Sequence, residues 1–175
     1  PWSDARAAAQ VAQAQGLEEV RRFPNPPAQL YDLIWRGGYP AVYDRELEPG
    51  EWYPSYVTTY LERDVRAILN VGDIMAFQAF LRLAAGRVGQ LVNLSSLGAD
   101  AGITHSTTQA WLSVLEAGYL AWRLRPWHAN VSKRLIKTPK LHFLDTGLVC
   151  YLLGIRSAEQ LRDHPLRGAI FETWV

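Results

Sequence analysis

The chain has 175 residues, of which 49% are hydrophobic, so it can bury a sizeable core as one domain or two small ones. Its formal net charge of +1 excludes a globally basic nucleic-acid coat, and any nucleic-acid binding must therefore come from a local patch. The single cysteine, Cys150, excludes a disulfide framework and indicates a reducing compartment, and no apolar run approaches the roughly 20 residues that span a bilayer.

Residues 1–70 are predicted to form a helical amino-terminal and linker segment. The alanine-rich residues 4–20 favour a helix, and FPNPPAQ, which starts at Phe23, is typical of a rigid connector. Beyond it, apolar residues at helical spacing predict two helices, with GGYPAVYD as a bend and RELEPGE as a linker between them. The first helix carries Leu30, Leu33 and Ile34, and the second carries Tyr56, Tyr60, Leu61, Val65, Ile68 and Leu69.

Residues 71–144 carry the signals of a winged helix-turn-helix in the order that this unit requires. A first helix is predicted from Ile74 to about Arg87. Two short helices joined by a tight glycine turn, which together form a helix-turn-helix, are predicted to follow it. Their ends are marked by capping residues and glycine stops: Asn93 or Ser95 with Gly102, and then Thr104 or Ser106 with Gly118.

A basic hairpin is predicted to follow as the wing. YLAWRLRPW alternates as a strand does until Pro126, and KLHFLD offers the return strand. The alternation predicts that Trp122 lies in the core. No acidic residue lies between Glu116 and Asp145, so an exposed hairpin carries a local charge of about +6. The cationic residues are Arg123, Arg125, Lys133, Arg134, Lys137 and Lys140.

Three further helices are predicted after the hairpin. DTGLVCYLLG indicates a buried helix that Asp145 or Thr146 caps and Gly154 ends. SAEQLRD indicates a short helix capped by Ser157, and LRGAIFETWV opens another. Because the chain starts with proline and its last residues continue a helical pattern, we expect it to be a fragment of a longer protein.

Several spaced strings carry a resemblance that covers nearly everything from Gly37 to Val175. They are GGYPAVY, YLERDVR, WLSVLEAGYL, KRLIKTPKLHFLDTGL, LLGI and GAIFETWV. In this order they resemble the carboxy-terminal domain of unknown function, number four-one-four-three, that follows the ATPase core in prokaryotic AAA-type ATP-binding proteins. The resemblance implies an ATPase core, then a winged helix, then a region similar to the restriction-endonuclease-like fold.

The resemblance places little chemistry inside this chain. Nothing matches the phosphate-cradling glycine loop with its lysine and hydroxyl residue, so ATP and magnesium are expected only for a missing upstream core. Glu172 matches the first acidic position of the nuclease-like region, but a single carboxylate does not hold a catalytic metal. We therefore assign no catalytic residue, metal ligand or cofactor to this chain, although its parent is expected to be an ATPase.

Two groups of residues are predicted to contact nucleic acid. Lys133, Arg134 and Lys137 lie in the hairpin loop and can neutralise phosphates, with Arg125 and Lys140 beside them. On the second helix of the helix-turn-helix, Thr108 and Gln109 can meet base edges and His105 a phosphate. The alternatives are a solvated loop or a contact with an acidic partner for the hairpin, and a protein-packing helix for the other group.

We predict a mainly α protein with three segments: a helical amino-terminal segment (1–70), a winged helix-turn-helix (71–144) and the start of a restriction-endonuclease-like α/β domain (145–175). Its expected function is that of a non-catalytic DNA-binding or coupling module in a cytoplasmic prokaryotic AAA-type ATPase. The expected partners are double-stranded DNA, the upstream core and further copies of the chain, with no membrane. The alternative is a docking or oligomerisation module of the same ATPase without nucleic-acid binding.

Overall fold

The computed structural model describes residues 27–60, Arg63, Val65, 74–127 and 137–175. The helix predicted in residues 4–20, most of the apolar stripe beyond Tyr60, and the loop residues Lys133 and Arg134 lie outside these ranges. The chain divides into two units, Pro1–Leu30 and Tyr31–Val175, and nearly all of the described residues belong to the second.

Helices dominate the described residues, which confirms the prediction of a mainly α protein. None of these helices is long and apolar enough to cross a membrane. In chain order the elements are α1 (Pro27–Arg36), α2 (Pro40–Asp44), α3 (Pro49–Tyr60), α4 (Ile74–Ala85), α5 (Leu94–Ala101), α6 (His105–Ala117), β1 (Ala121–Leu124), β2 (Lys140–Phe143), α7 (Thr146–Leu152), α8 (Ala158–Asp163) and α9 (Arg167–Trp174).

Two helices begin where the sequence predicted irregular chain. The predicted bend after Tyr39 contains α2, and α3 starts at Pro49, inside the predicted linker. In both cases proline stands at the start of the helix, where its fixed φ suits the first turn and its missing N–H costs no hydrogen bond. The linker prediction was therefore wrong for residues 49–51.

Side-chain caps set the starts of four helices, and each was among the predicted candidates. Asn93 accepts a hydrogen bond from the Ser96 N–H at the start of α5, and Thr104 accepts one from the Thr107 N–H at the start of α6. Asp145 and Ser157 cap α7 and α8 in the same way. Gly102 ends α5 with a φ of +68°, a conformation that glycine adopts without strain.

The two strands form an antiparallel hairpin in which Ala121 pairs with Phe143 and Leu124 with Lys140. Residues 89–92 run along the other edge of β2, which the sequence did not predict. The Gly89 N–H donates to the Leu141 carbonyl at 2.7 Å, and the Leu141 N–H donates to the Gln90 carbonyl at 2.9 Å. Within this segment Leu91 forms an isolated antiparallel bridge with Lys140, beside β2.

The core lies between α4, α6 and α7. Trp111 of α6 packs against Phe77 and Phe80 of α4, with ring centroids 5.1 and 5.3 Å apart. Helix α7 is buried along most of its length and contacts α3, α4 and β2. These contacts join elements from all three predicted segments, while the boundaries at residues 70 and 144 remain a prediction.

The sequence predicted that Trp122 lies in the core. This prediction was wrong, because Trp122 is 46% exposed. The buried partners Ala121 and Phe143 fix which face of β1 points inward. Since side chains alternate along a strand, Trp122 and Leu124 must then point outward. Leu120 is also buried, but it precedes the strand and follows Tyr119, whose φ of +54° interrupts the alternation.

Candidate nucleic-acid interface

Helix α6 divides cleanly into a buried and an exposed face. Trp111, Leu112 and Leu115 are buried against the rest of the protein. His105 and Gln109 are exposed on the other face. The exposed face carries no Lys, Arg, Asp or Glu, so it offers hydrogen bonding but little attraction for phosphate.

Thr108 cannot contact a base edge, which corrects its prediction as a site residue. Its side chain is fully buried, and its hydroxyl donates to the Thr104 carbonyl at 2.9 Å. A Cβ on Gly98 of α5 would lie only 2.5 Å from this hydroxyl oxygen. Thr108 therefore lies at the close crossing of α5 and α6, where it faces the partner helix instead of solvent.

Glu116, in the last turn of α6, holds Arg123 of β1. Its Oε1 accepts the backbone N–H of Arg123 at 3.0 Å and the side-chain Nε–H at 2.9 Å, and its Oε2 contacts Nη2. The hydrogen bonds and charge of Arg123 lower the pKa of Glu116 below its ordinary value, and Glu116 in turn raises the pKa of Arg123. The pair also gives the Arg123 N–H, on the free edge of β1, a partner.

Lys140, at the start of β2, forms an ion pair with Glu172 of α9, with 2.5 Å between Nζ and Oε1. The ion pair with Lys140 lowers the pKa of Glu172. The Lys140–Glu172 and Arg123–Glu116 pairs neutralise two of the six cations of the hairpin. The local charge of the hairpin is therefore lower than the +6 predicted from the sequence. Both acidic partners lie outside the stretch between Glu116 and Asp145 that was counted as free of acidic residues.

A pocket of about 360 Å³, which we call the hairpin pocket, opens between the loop end of the hairpin strands and the start of α5. Arg125 and Lys137 reach it from the two ends of the hairpin loop, and both side chains are exposed. Neither forms an ion pair with another described residue. The lining residues are Val92, Leu94, Glu116, Arg123, Arg125, Lys137, Thr138 and Pro139.

The structure thus brings together two of the predicted site residues, Arg125 and Lys137. It adds Arg123 and Glu116, which were not predicted as site residues and which only their tertiary contact identifies. Lys140 lies on the other face of the hairpin, as strand alternation requires, and Lys133 and Arg134 lie outside the described residues. His105 and Gln109 are exposed on α6 but do not line the pocket.

A second polar cluster surrounds Asp145, whose side chain is buried. Its carboxylate accepts the Gly38 N–H at 2.6 Å, the Leu148 N–H at 2.6 Å and the Tyr53 hydroxyl at 2.7 Å. Burial raises the pKa of Asp145, and these hydrogen bonds partly offset that effect. The cluster therefore joins α3, the turn after α1 and the start of α7.

Two glycines make the Asp145 cluster possible. A Cβ on Gly37, where φ is +76°, would lie 2.3 Å from the Tyr53 hydroxyl and 2.6 Å from both Asp145 carboxylate oxygens. A Cβ on Gly147 would lie 2.1 Å from the same hydroxyl and 2.6 Å from the Arg36 carbonyl. The strings GGYP and DTG are therefore neighbours in the fold, packed closely around one tyrosine hydroxyl.

Residues 27–60, 74–127 and 137–175 contain no group of three or more His, Cys, Asp or Glu side chains that could hold a metal ion. Glu172, which the resemblance places at the first acidic position of a nuclease-like region, is engaged with Lys140. Cys150 is buried, and burial raises the pKa of its thiol to about 12, so it remains protonated at neutral pH.

Comparison with known proteins adds a family but no activity. A family model described as "Domain of unknown function (DUF8612)" matches residues 27–159. Uncharacterized protein Rv2008c of Mycobacterium tuberculosis and Uncharacterized protein Mb2031c of Mycobacterium bovis are each 32% identical over 148 residues, which is 82% of this chain and 33% of each relative. The chain thus spans about a third of the length of these curated relatives. No solved structure matches.

These matches confirm the prediction that the chain contains a domain of unknown function, and they confirm nothing more specific. The number of the matching model differs from four-one-four-three, which the resemblance had suggested. Neither relative's name mentions an ATPase.

Proposed function

The chain belongs to the DUF8612 family, and we propose that it is a non-catalytic DNA-binding or coupling module of a prokaryotic AAA-type ATPase. The hairpin pocket carries this proposal, because it places Arg125, Lys137 and Arg123 around one opening. Cationic side chains that converge on a pocket attract phosphate oxygens, and phosphate contacts supply most of the sequence-independent affinity for DNA.

The order of the elements supports a winged helix for residues 74–143. That fold has a first helix, a short strand, two helices in a helix-turn-helix and a two-stranded wing, and its short strand pairs with the returning strand of the wing. Here α4, residues 89–92, α5, α6, β1 and β2 follow in this order, and residues 89–92 bond to β2. In such a unit α6 is the helix that approaches the major groove.

On this proposal the two surfaces have different roles. The uncharged exposed face of α6, with His105 and Gln109, lies against base edges or the sugar-phosphate backbone. Arg125 and Lys137 supply phosphate contacts from the hairpin, and Lys133 and Arg134 extend the same loop in the sequence. Binding is then expected to depend mainly on the wing and to show little preference for sequence.

The coupling part of the proposal rests on the resemblance and on chain length. The strings between Gly37 and Val175 resemble the domain that follows an AAA-type ATPase core. Since the chain spans a third of each curated relative, those proteins have ample length for such a core. ATP and magnesium would then bind in that core and not in this chain, and a cytoplasmic location would follow for the whole protein.

A second candidate function is a docking or oligomerisation module without DNA binding. The observation that favours it is the outward face of β1, where 46% of Trp122 and 41% of Leu124 are exposed. Exposed large apolar side chains that lie together mark contact sites for other proteins. This surface is on the opposite face of the strand from Arg123, so it can be tested separately from the pocket.

Charge reversal at the pocket tests the proposal. We would titrate a labelled random duplex with the wild-type chain, with R125E/K137E and with R45E/R156E, which changes the net charge equally at exposed sites away from the pocket. The proposal predicts tight binding at low salt that R125E/K137E weakens at least about tenfold and R45E/R156E weakens little. Equal binding by both double variants, or no binding by the wild type, would reject it.

A further inference from the structure

We propose that the hairpin pocket is a binding site for a phosphate monoester and that it holds the terminal phosphate of a DNA strand. This inference rests on the proposed function, because it specifies which phosphate of DNA the pocket takes. It goes further than a wing that merely lies along the duplex, since it predicts a preference for phosphorylated strand ends.

The charge of the pocket is the first argument. Among its described lining residues there are three cationic side chains, Arg123, Arg125 and Lys137, and one carboxylate, Glu116, which gives two net positive charges. A phosphodiester inside a strand carries one negative charge. A terminal phosphate monoester carries about −1.5 to −2 at pH 7, so it matches the pocket more closely.

The available hydrogen-bond donors are the second argument. The Arg123 guanidinium has five N–H groups, and its contacts with Glu116 use Nε and Nη2. Donors therefore remain on Arg123 for ligand oxygens, while the pair with Glu116 keeps the guanidinium in place. Arg125, just after β1, and Lys137, at the other end of the loop, add donors, so several can meet the three terminal oxygens of a monoester.

The position of the pocket is the third argument. Leu94, the first residue of α5, lines it, so the pocket lies beside the amino-terminal end of that helix, where the helix dipole favours negative charge. Val92, Leu94 and Pro139 give the pocket an apolar side that can pack against a deoxyribose. A recess of about 360 Å³ between a hairpin and a helix can admit the end of a strand, whereas the backbone inside a duplex stays on its outer surface.

Paired duplexes test the inference. Two labelled blunt duplexes of the same sequence, one with phosphate and one with hydroxyl at both 5′ ends, would be titrated with the wild-type chain. We expect the phosphorylated duplex to bind about tenfold more tightly. R125Q/K137Q should abolish this preference, and the matched variant R45Q/R156Q should keep it. The preference should also shrink at pH 5, because the second pKa of the monoester is about 6.

The outcomes separate the two proposals. Equal, salt-dependent binding of both duplexes overturns the terminal-phosphate inference and leaves the proposed function standing. No binding of either duplex at low salt overturns both. Competition by thymidine 5′-monophosphate distinguishes the source of the phosphate. A chain that binds this nucleotide but neither duplex has a monoester site that does not serve DNA ends, which also overturns the inference.

Discussion

Glu116 binds Arg123 twice, through the backbone N–H and through the guanidinium, and so ties the last turn of α6 to β1. The two residues are seven positions apart and belong to different elements, so the pair fixes the angle between the helix and the hairpin. It also holds Arg123 at the edge of the hairpin pocket. One ion pair therefore connects the two surfaces that the proposed function uses.

The Glu116–Arg123 pair is expected to stabilise the fold in a pH-dependent way. E116Q keeps an acceptor for the backbone N–H but loses the charge, and we expect it to lower the free energy of unfolding at pH 7 by about 0.5–1 kcal/mol, as for a partly solvent-screened pair. Because Arg123 lowers the pKa of Glu116, this stabilisation is fully present above the ordinary value of 4.5 and is lost as the pH falls through the lowered pKa. Urea unfolding at pH 7 and pH 3 measures both effects. E159Q, at an exposed site, serves as the control, and a difference that does not decrease as the pH falls below 4.5 would contradict the ion-pair explanation.

The close packing around Gly147 predicts a strong effect of one added methyl group. A Cβ there would lie 2.1 Å from the Tyr53 hydroxyl and 2.6 Å from a backbone carbonyl, so G147A must displace one of them. We expect it to destabilise the protein by about 2–3 kcal/mol. Gly168 is also helical but has nothing within 4 Å of its Cβ position, so G168A should be neutral or stabilise by up to about 1 kcal/mol. Thermal unfolding of the two variants compares them, and equal midpoints would contradict the packing at Gly147.

Removal of the Tyr53 hydroxyl tests the polar cluster. Y53F deletes a donor to the buried carboxylate of Asp145, and we expect a loss of about 1–3 kcal/mol at pH 7. Burial already raises the pKa of Asp145, and the loss of this hydrogen bond raises it further. A raised carboxyl pKa means that the folded state gains protons relative to the unfolded state, so stability falls as the pH rises from the ordinary value of 3.8.

The cost of Y53F should therefore be larger at pH 7 than at pH 3, where the carboxyl group is neutral in both states. Urea unfolding at the two pH values provides the measurement. Y43F is the control, since that hydroxyl donates to a neutral carbonyl, that of Gly37, and its loss should show no such pH dependence. An equal loss for Y53F at both pH values would show that Asp145 is not the partner that matters.

Two tryptophans should respond very differently to truncation. W111A removes a ring packed against Phe77 and Phe80, and we expect it to cost about 3–5 kcal/mol. W122A, at a position that is 46% exposed, should cost less than about 1.5 kcal/mol. Chemical unfolding checks both values. A large loss of stability for W122A would mean that Trp122 points into the core, as strand alternation in the sequence had predicted.

The sequence predicted features that depend on neighbouring residues better than features that depend on contacts between distant elements. The caps Asn93, Thr104, Asp145 and Ser157 are recognisable because a cap satisfies amides only two or three residues ahead. The alternation of β1 defines two faces but does not show which face is buried. The pairing of Ala121 with Phe143 determines this, so the burial of Trp122 was predicted wrongly. The edge segment 89–92 is too short to show alternation of its own.

The candidate site shows the same limit. Arg125 and Lys137 were predicted from local charge, and the fold places both in one pocket. The neutralisation of Arg123 by Glu116 and of Lys140 by Glu172 depends on contacts between elements, so counting charges along the hairpin overstated its potential. The contact of Gly38 with Asp145, 107 residues away, likewise has no local signal in GGYP or DTG.

The most direct test of the central claim is the salt dependence of duplex binding. Fluorescence anisotropy with a labelled random duplex across a range of salt concentrations gives the slope of log K against log salt. Three phosphate contacts, from residues such as Lys133, Arg134 and Lys137, predict a slope of about −3, which should become much shallower when these three are changed to glutamate. A wild-type chain that fails to bind at low salt, or that binds with a slope near zero, would contradict a phosphate-binding wing and favour the docking module.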